Sequence, residues 1–169
     1  MTHTDPLIAF YRDGACDDSG RTLEEILAGP DDRLEAVHDF IQWIFPLPEP
    51  SGANPSAPTL TPEAIQTFRA SAEMRGRLRQ SFERMLRFYG LLWNEGHVER
   101  ASGFAARAQN WLHPMNHNHL RLTRMLRSLR LLGLEAESAA LFGALDSIYR
   151  DFPGRITGRT YQFWRNAAV

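Results

Sequence analysis

Three groups of residues in this chain have the types and spacing to do chemistry. His38 and Asp39 are adjacent in EAVHDFIQWIFPLP, residues 35–48. A neighbouring imidazole and carboxylate can ligate one cation, as a metal-dependent hydrolase requires, but such a centre needs further donors at fixed distances. His3 lies upstream in the amino-terminal tail and no partner aspartate stands out downstream. The competing reading is a histidine hydrogen-bonded to a neighbouring segment. His113, His117 and His119 form H-x3-H-x-H. Two of them could hold zinc or nickel, yet no cysteine or carboxylate completes a set, and capping and loop hydrogen bonds account for the Asn/His cluster more simply.

The third group is a run of arginines, Arg121, Arg124, Arg127 and Arg130, with Arg84, Arg87 and Arg107. It could read phosphates, but its periodicity fits a solvated helix face, so nucleic-acid binding is the weaker reading. Cys16 sits in an acidic loop, a setting that disfavours a thiolate nucleophile. There is no G-x-S-x-G, no P-loop and no dinucleotide fingerprint. These residues name no enzyme, no catalytic residue, no metal site and no cofactor.

The elements that must carry these groups read as helices. At ~100° per residue, Leu34, Val37, Ile41, Ile44 and Phe45 share one face, with His38 and Gln42 on its border and Trp43 roughly opposite. This predicts a central helix that starts at Asp31-Asp32, where carboxylates complement the helix dipole. Pro46 and Pro48 end it. Trp43 should pack against something other than the core stripe, with the proline-rich loop over residues 46–61 as the candidate. That loop is read as an extended segment laid across the surface of one domain, because the first 45 residues are too few to hold a core alone.

Before it, Asp5-Pro6 caps a short helix to about Asp13, and Thr22 with Glu25 forms a capping box for another. After it, Thr61-Pro62 starts a helix towards Ala72, with Gly76 as a possible break before a stripe of Leu78, Phe82, Met85, Leu86 and Tyr89 closed by Gly90. Asn94-Glu95-Gly96 is a turn, followed by a helix from about Arg100 to Leu112 that buries Ala101, Phe104, Ala105, Ala108, Trp111 and Leu112. Asn116 or Asn118 caps a helix ending at Gly133, with Leu122, Met125, Leu126, Leu129 and Leu132 inward. Glu135 to Phe152 is the last long helix, and the tail 153–169 either docks or frays. No β period appears. The prediction is an all-α, single-domain irregular helical bundle of about seven helices.

Composition bounds the rest. A chain of 169 residues, 43% hydrophobic and 11% aromatic, can bury one sizeable core. One cysteine excludes an internal disulfide framework and fits a reducing compartment. No apolar run approaches the ~20 residues of a membrane span, and the first residues lack the pattern of a signal peptide. A cytoplasmic protein with no membrane insertion is expected. The net charge of −1 hides an asymmetry. Residues 1–63 hold 12 acidic residues against 3 arginines, and residues 64–134 hold 12 arginines against 4 glutamates. The acidic third is expected to pack against the basic middle through surface pairs each worth little.

Two stretches resemble the conserved region of the opioid growth factor receptor family. One is HDFIQWIFP, His38 to Pro46, with Asn54 and Ala57 in the loop after it; the other combines RMLRFYGLLW, Arg84 to Trp93, with NHNHLRLTRMLRSLRLLGLE, Asn116 to Glu135. Order and spacing agree from about Ala36 to Leu145, and the short length is similar to that of short bacterial members. The resemblance implies a receptor-like, non-enzymatic domain; the vertebrate members are receptors for an enkephalin peptide, associated with the nucleus and with growth inhibition. The expected partner is a peptide or small-molecule ligand, or a protein. Polar and aromatic residues at helix ends, His38, Gln42, Trp43, Tyr89, Asn118, Arg121 and Arg124, are the candidate ligand-binding set. The competing reading is that they cap helices and pin the proline-rich loop.

Overall fold

The computed structural model describes residues 4–169; His3 lies outside them. It contains ten α-helices and one two-stranded antiparallel sheet among the described residues. The chain divides after Ser81 into two compact units.

In the first unit the caps are where the sequence puts them. Asp5 accepts from Leu7 N at 2.8 Å and from Ile8 N, with Pro6 as the first residue of α1 (Pro6–Arg12). Thr22 and Glu25 exchange hydrogen bonds at 2.8 and 3.2 Å at the start of α2 (Leu23–Ala28). These satisfy amides that the first turn of a helix otherwise leaves bare.

The predicted central helix is two. α3 (Asp31–Ala36) stops where Val37 adopts an extended backbone, and α4 (Ile41–Ile44) starts after a bend. A straight helix would leave Phe40 and Trp43 off the core stripe. The break re-aims the second piece, so that Phe40, Ile41, Trp43, Ile44 and Phe45 are all buried, which a single helical stripe cannot achieve. Trp43 packs on Phe10 of α1, ring centroids 5.3 Å apart. Phe10 and Tyr11 extend this aromatic floor to Phe68 of α5 (Pro62–Ala70). Tyr11 Oη donates to the Ile44 carbonyl and meets Ser81 Oγ at 3.1 Å; burial raises its pKa and keeps the phenol neutral.

The proline-rich loop lies against this unit as expected. Leu60 N donates to Leu47 O at 3.0 Å and closes its base, and Asn54, Ala57 and Leu60 are buried. The break between α5 and α6 (Ala72–Tyr89) falls at Ser71 rather than Gly76. Ser71 leaves helical geometry and its Oγ accepts from Met74 N at 3.2 Å, an N-cap for the next helix.

In the second unit the turn at 94–96 closes a hairpin that the all-α prediction lacks. β1 (Leu91–Asn94) pairs with β2 (His97–Arg100), Leu91 opposite Arg100 and Asn94 opposite His97. Glu95 and Gly96 have φ of 47° and 88°, the paired positive values of the tight turn that matches strand twist. Glu is an unusual first residue for it, which hides the hairpin in the sequence. The strand consumes Arg100, and Ala101 N donates to Gly90 O at 2.9 Å. The predicted 100–112 helix therefore shrinks to α7 (Phe104–Ala108). Phe104, Ala108, Trp111 and Leu112 are buried as predicted, while Ala105 is exposed.

α8 (Asn118–Leu131) carries Leu122, Met125, Leu126 and Leu129 into the core. Its capping side chain is Asn116, whose Oδ1 accepts from Asn118 N at 2.9 Å. α9 (Glu135–Asp151) packs along it, tied by Ser138 Oγ donating to Leu126 O at 2.7 Å. The tail docks. Residues 158–168 form α10 (Gly158–Ala168), which packs on α8 and α9 and buries Trp164 completely.

Candidate functional site

In the first unit, Asp17 is buried and pairs with Arg21, whose Nε and second guanidinium nitrogen lie 2.9 and 2.6 Å from its Oδ2. Arg21 reaches on to Asp39 at 2.8 Å, and Ser19 Oγ donates to the same carboxylate at 2.8 Å. Partial burial works against ionisation of Asp39, but the bonds from Arg21 and Ser19 outweigh it and hold the carboxyl below its ordinary range. Burial likewise opposes the charge on Arg21, and the two carboxylates overcome it.

Asp18 does the complementary job. Its carboxylate accepts from Trp43 Nε1, Asn54 Nδ2 and Ser56 Oγ, each at 3.2 Å, and Asn54 Nδ2 also donates to the Asp39 carbonyl at 3.0 Å. The acidic loop thus ties the IQWIFP segment to the proline-rich loop. Gln42 adds a second tie, donating to His38 O and Ser51 Oγ at 3.2 Å while its buried Oε1 has no hydrogen-bond partner.

Beside this network opens a cleft of about 460 Å³. Ile26, Leu34, Val37 and Phe40 supply apolar walls, and Arg21, Glu25 and Arg33 place charges of both signs at its lining. Glu25 is part of the α2 capping box, and Arg33 is exposed at the end of α3. Sequence reading missed this cleft, because its walls come from α2, α3 and the bend between α3 and α4 rather than from one motif.

The second unit holds its own polar centre. Asn118 Oδ1 accepts from Tyr89 Oη at 3.3 Å and from Arg121 at 3.4 Å. His119 Nε2 donates to the Trp111 carbonyl at 2.8 Å, the Trp111 indole donates to Tyr89 O at 3.1 Å, and the Trp164 indole donates to His119 O at 3.0 Å. A carbonyl only accepts, so Nε2 carries the proton and the buried, unpartnered Nδ1 is a bare lone pair. Burial first, then the nearby His113 and His117, lower the pKa of His119 against the supporting bond to Trp111.

Of the residues singled out from sequence, His38, Gln42 and Trp43 fall in the first unit and Tyr89, Asn118, Arg121 and Arg124 in the second. Gln42, Trp43, Tyr89, Asn118 and Arg121 are buried, Arg124 is half-buried, and His38 is exposed. The arginine group is only partly solvated: Arg84 and Arg121 are buried, Arg107, Arg124, Arg127 and Arg130 are half-buried, and Arg87 is exposed. Asp39 is committed to Arg21 and Ser19, and His119 is buried while His113 and His117 are exposed. Among the described residues no three His, Cys, Asp or Glu side chains converge as a metal site would need, and no helix is long and apolar enough to cross a membrane.

Residues 9–146 match the family model described as the opioid growth factor receptor (OGFr) conserved region. The opioid growth factor receptor of Mus musculus is 43% identical over 141 residues, covering 79% of this chain and 22% of that protein. The Homo sapiens receptor is 40% identical over 159 residues, covering 88% and 23%. Opioid growth factor receptor-like protein 1 of Mus musculus is 39% identical over 127 residues, covering 72% and 27%. The chain therefore spans about a quarter of the length of these curated relatives. All three are vertebrate proteins, so they lend nothing to the expected kinship with short bacterial members. No solved structure matches.

Proposed function

Because the chain belongs to the family of the opioid growth factor receptor conserved region, we propose that it is a non-enzymatic binding module that takes a peptide or small ligand in the cleft of its first unit. One observation carries this: a cleft of about 460 Å³ with apolar walls and charges of both signs, the composition of a site that orients a ligand with a few polar groups. Arg21 is already paired with Asp17 and Asp39, which leaves the exposed Arg33 as the residue to meet a ligand carboxylate. Glu25 can receive an amine. Trp43 and Gln42 support the cleft by holding the loops beside it, and His38, exposed next to the wall residue Val37, is the contact retained from the set named on sequence grounds. The module works as a water-borne cytoplasmic domain.

The relatives are named receptors for an opioid growth factor, so an opioid peptide is the first probe, beside a scrambled peptide of the same composition. Backbone amide shifts followed by NMR should move at Gly20, Gly29 and Val37 with the opioid peptide and not with the control. Arg33→Glu should abolish the shifts while leaving the melting temperature unchanged. If neither the opioid peptide nor short peptides with an apolar carboxyl-terminal residue perturb these amides, the cleft is not a binding site.

A further inference from the structure

A second feature lies in the other unit and does not depend on the cleft. Large apolar side chains are exposed at few positions among the described residues, and three of them gather at one place: Met115 at 85%, Leu120 at 70% and Phe163 at 45%. They line one groove of about 250 Å³ with His117, His119 and Arg159. Soluble proteins rarely group exposed apolar side chains without a partner for them. Met115 also has φ of 64°, a conformation costly for a residue with a Cβ.

The chemistry of the rim says what the partner is. The groove's lining is polar or apolar apart from the cationic Arg159, with His117 and His119 beside it. Arg159 lies over the Phe163 ring, 5.6 Å from its centre, so charge and apolar surface are presented together. The N-terminal ends of α8 and α10 both reach this groove, through His117 and Thr157 respectively, and each adds partial positive charge. No aspartate or glutamate lines the groove, and Asp146 and Asp151 of the adjoining α9 are held by Tyr161 and Arg150 and by Arg100.

We propose that the Met115–Leu120–Phe163 groove is a docking surface for an acidic, amphipathic segment of another protein. Its apolar side chains seat on Leu120 and Phe163, and its carboxylates face Arg159 and His117.

The test uses the full chain and a fluorescein-labelled peptide with leucines at helical spacing and glutamates elsewhere, beside the same peptide with lysine for glutamate. Fluorescence anisotropy should show the glutamate peptide binding, weakening as salt rises, and the lysine peptide not binding. Leu120→Glu and Phe163→Ala, both at exposed positions, should each weaken binding about tenfold or more, as loss of an apolar anchor does. Far-ultraviolet circular dichroism should show both variants folded. No binding of the glutamate peptide, or binding indifferent to both variants, overturns the proposal. So does binding to phosphatidylserine vesicles without peptide binding, which would make the patch a membrane contact. Sedimentation showing self-association abolished by Leu120→Glu also overturns it, because the occupant would then be the acidic segment of a second copy.

Discussion

At the scale of single residues the decisive property is how buried polar atoms are satisfied. Asp18 and Asn54 lie far apart in the chain, yet one carboxylate serves the indole of Trp43 and the amide of Asn54. Helical spacing put Trp43 off the core stripe and against the proline-rich loop, whereas the bend before α4 buries it in the core beside Phe10. It could not identify Phe10 or Asp18 as its partners, since loop contacts carry no period. His119 was legible only as one member of a histidine cluster, and its burial between Trp111 and Trp164 was not. That burial makes a pH prediction. The folded protein holds His119 below its ordinary value of 6.5, so the unfolded chain binds the proton more readily. Stability is then full above that value, falls as pH drops through it, and levels off once the folded ring also protonates. The melting temperature should decline as the pH falls below about 6.5. His119→Gln, which keeps an amide able to donate to Trp111 O but cannot titrate, should flatten the decline. An unchanged slope in the variant would assign the effect to another group.

At the scale of elements, caps and stops were readable and lengths were not. Asp5, Thr22, Thr61 and Asn116 cap through side-chain oxygens as their types predict, because capping is a local property of three or four residues. The bend at Val37 and the hairpin at 91–100 are set by what packs around them, so the wheel overran the first and a helical stripe overran the second. Gly90 shows how tightly the junction between α6 and the hairpin is built. Its φ is 78°, and a Cβ there would stand 2.8 Å from Phe104 Cα and 2.9 Å from Arg107 Cβ. Gly90→Ala therefore adds left-handed strain to a clash with backbone that cannot swing away, at a cost of about 2–3 kcal/mol or more. The urea midpoint should fall accordingly. Gly76→Ala, inside α6 with open space around the added methyl, should be neutral or stabilising. Equal effects at the two glycines would remove this account of the junction.

At the scale of the whole molecule, the expected packing of the acidic third on the basic middle is represented within the first unit by a surface pair. Arg77 of α6 lies 3.4 Å from Glu24 of α2, though such an exposed pair contributes little. The larger question is cooperativity. The division between the units falls inside α6, an uninterrupted helix from Ala72 to Tyr89. The single-domain expectation then becomes measurable. Lowering the pH charges His119 in the second unit, while the Asp39 pair in the first unit holds its carboxyl below the ordinary range. If the chain unfolds as one domain, amide hydrogen exchange should accelerate in both units together as His119 titrates, including in α1 and α5, which carry no histidine. Exchange that rises in residues 82–169 alone, with the first unit protected until its carboxylates protonate, would mean two independently folding domains joined through α6. The His119→Gln variant sharpens the test. It should delay exchange throughout the chain in the first case and only in the second unit in the other.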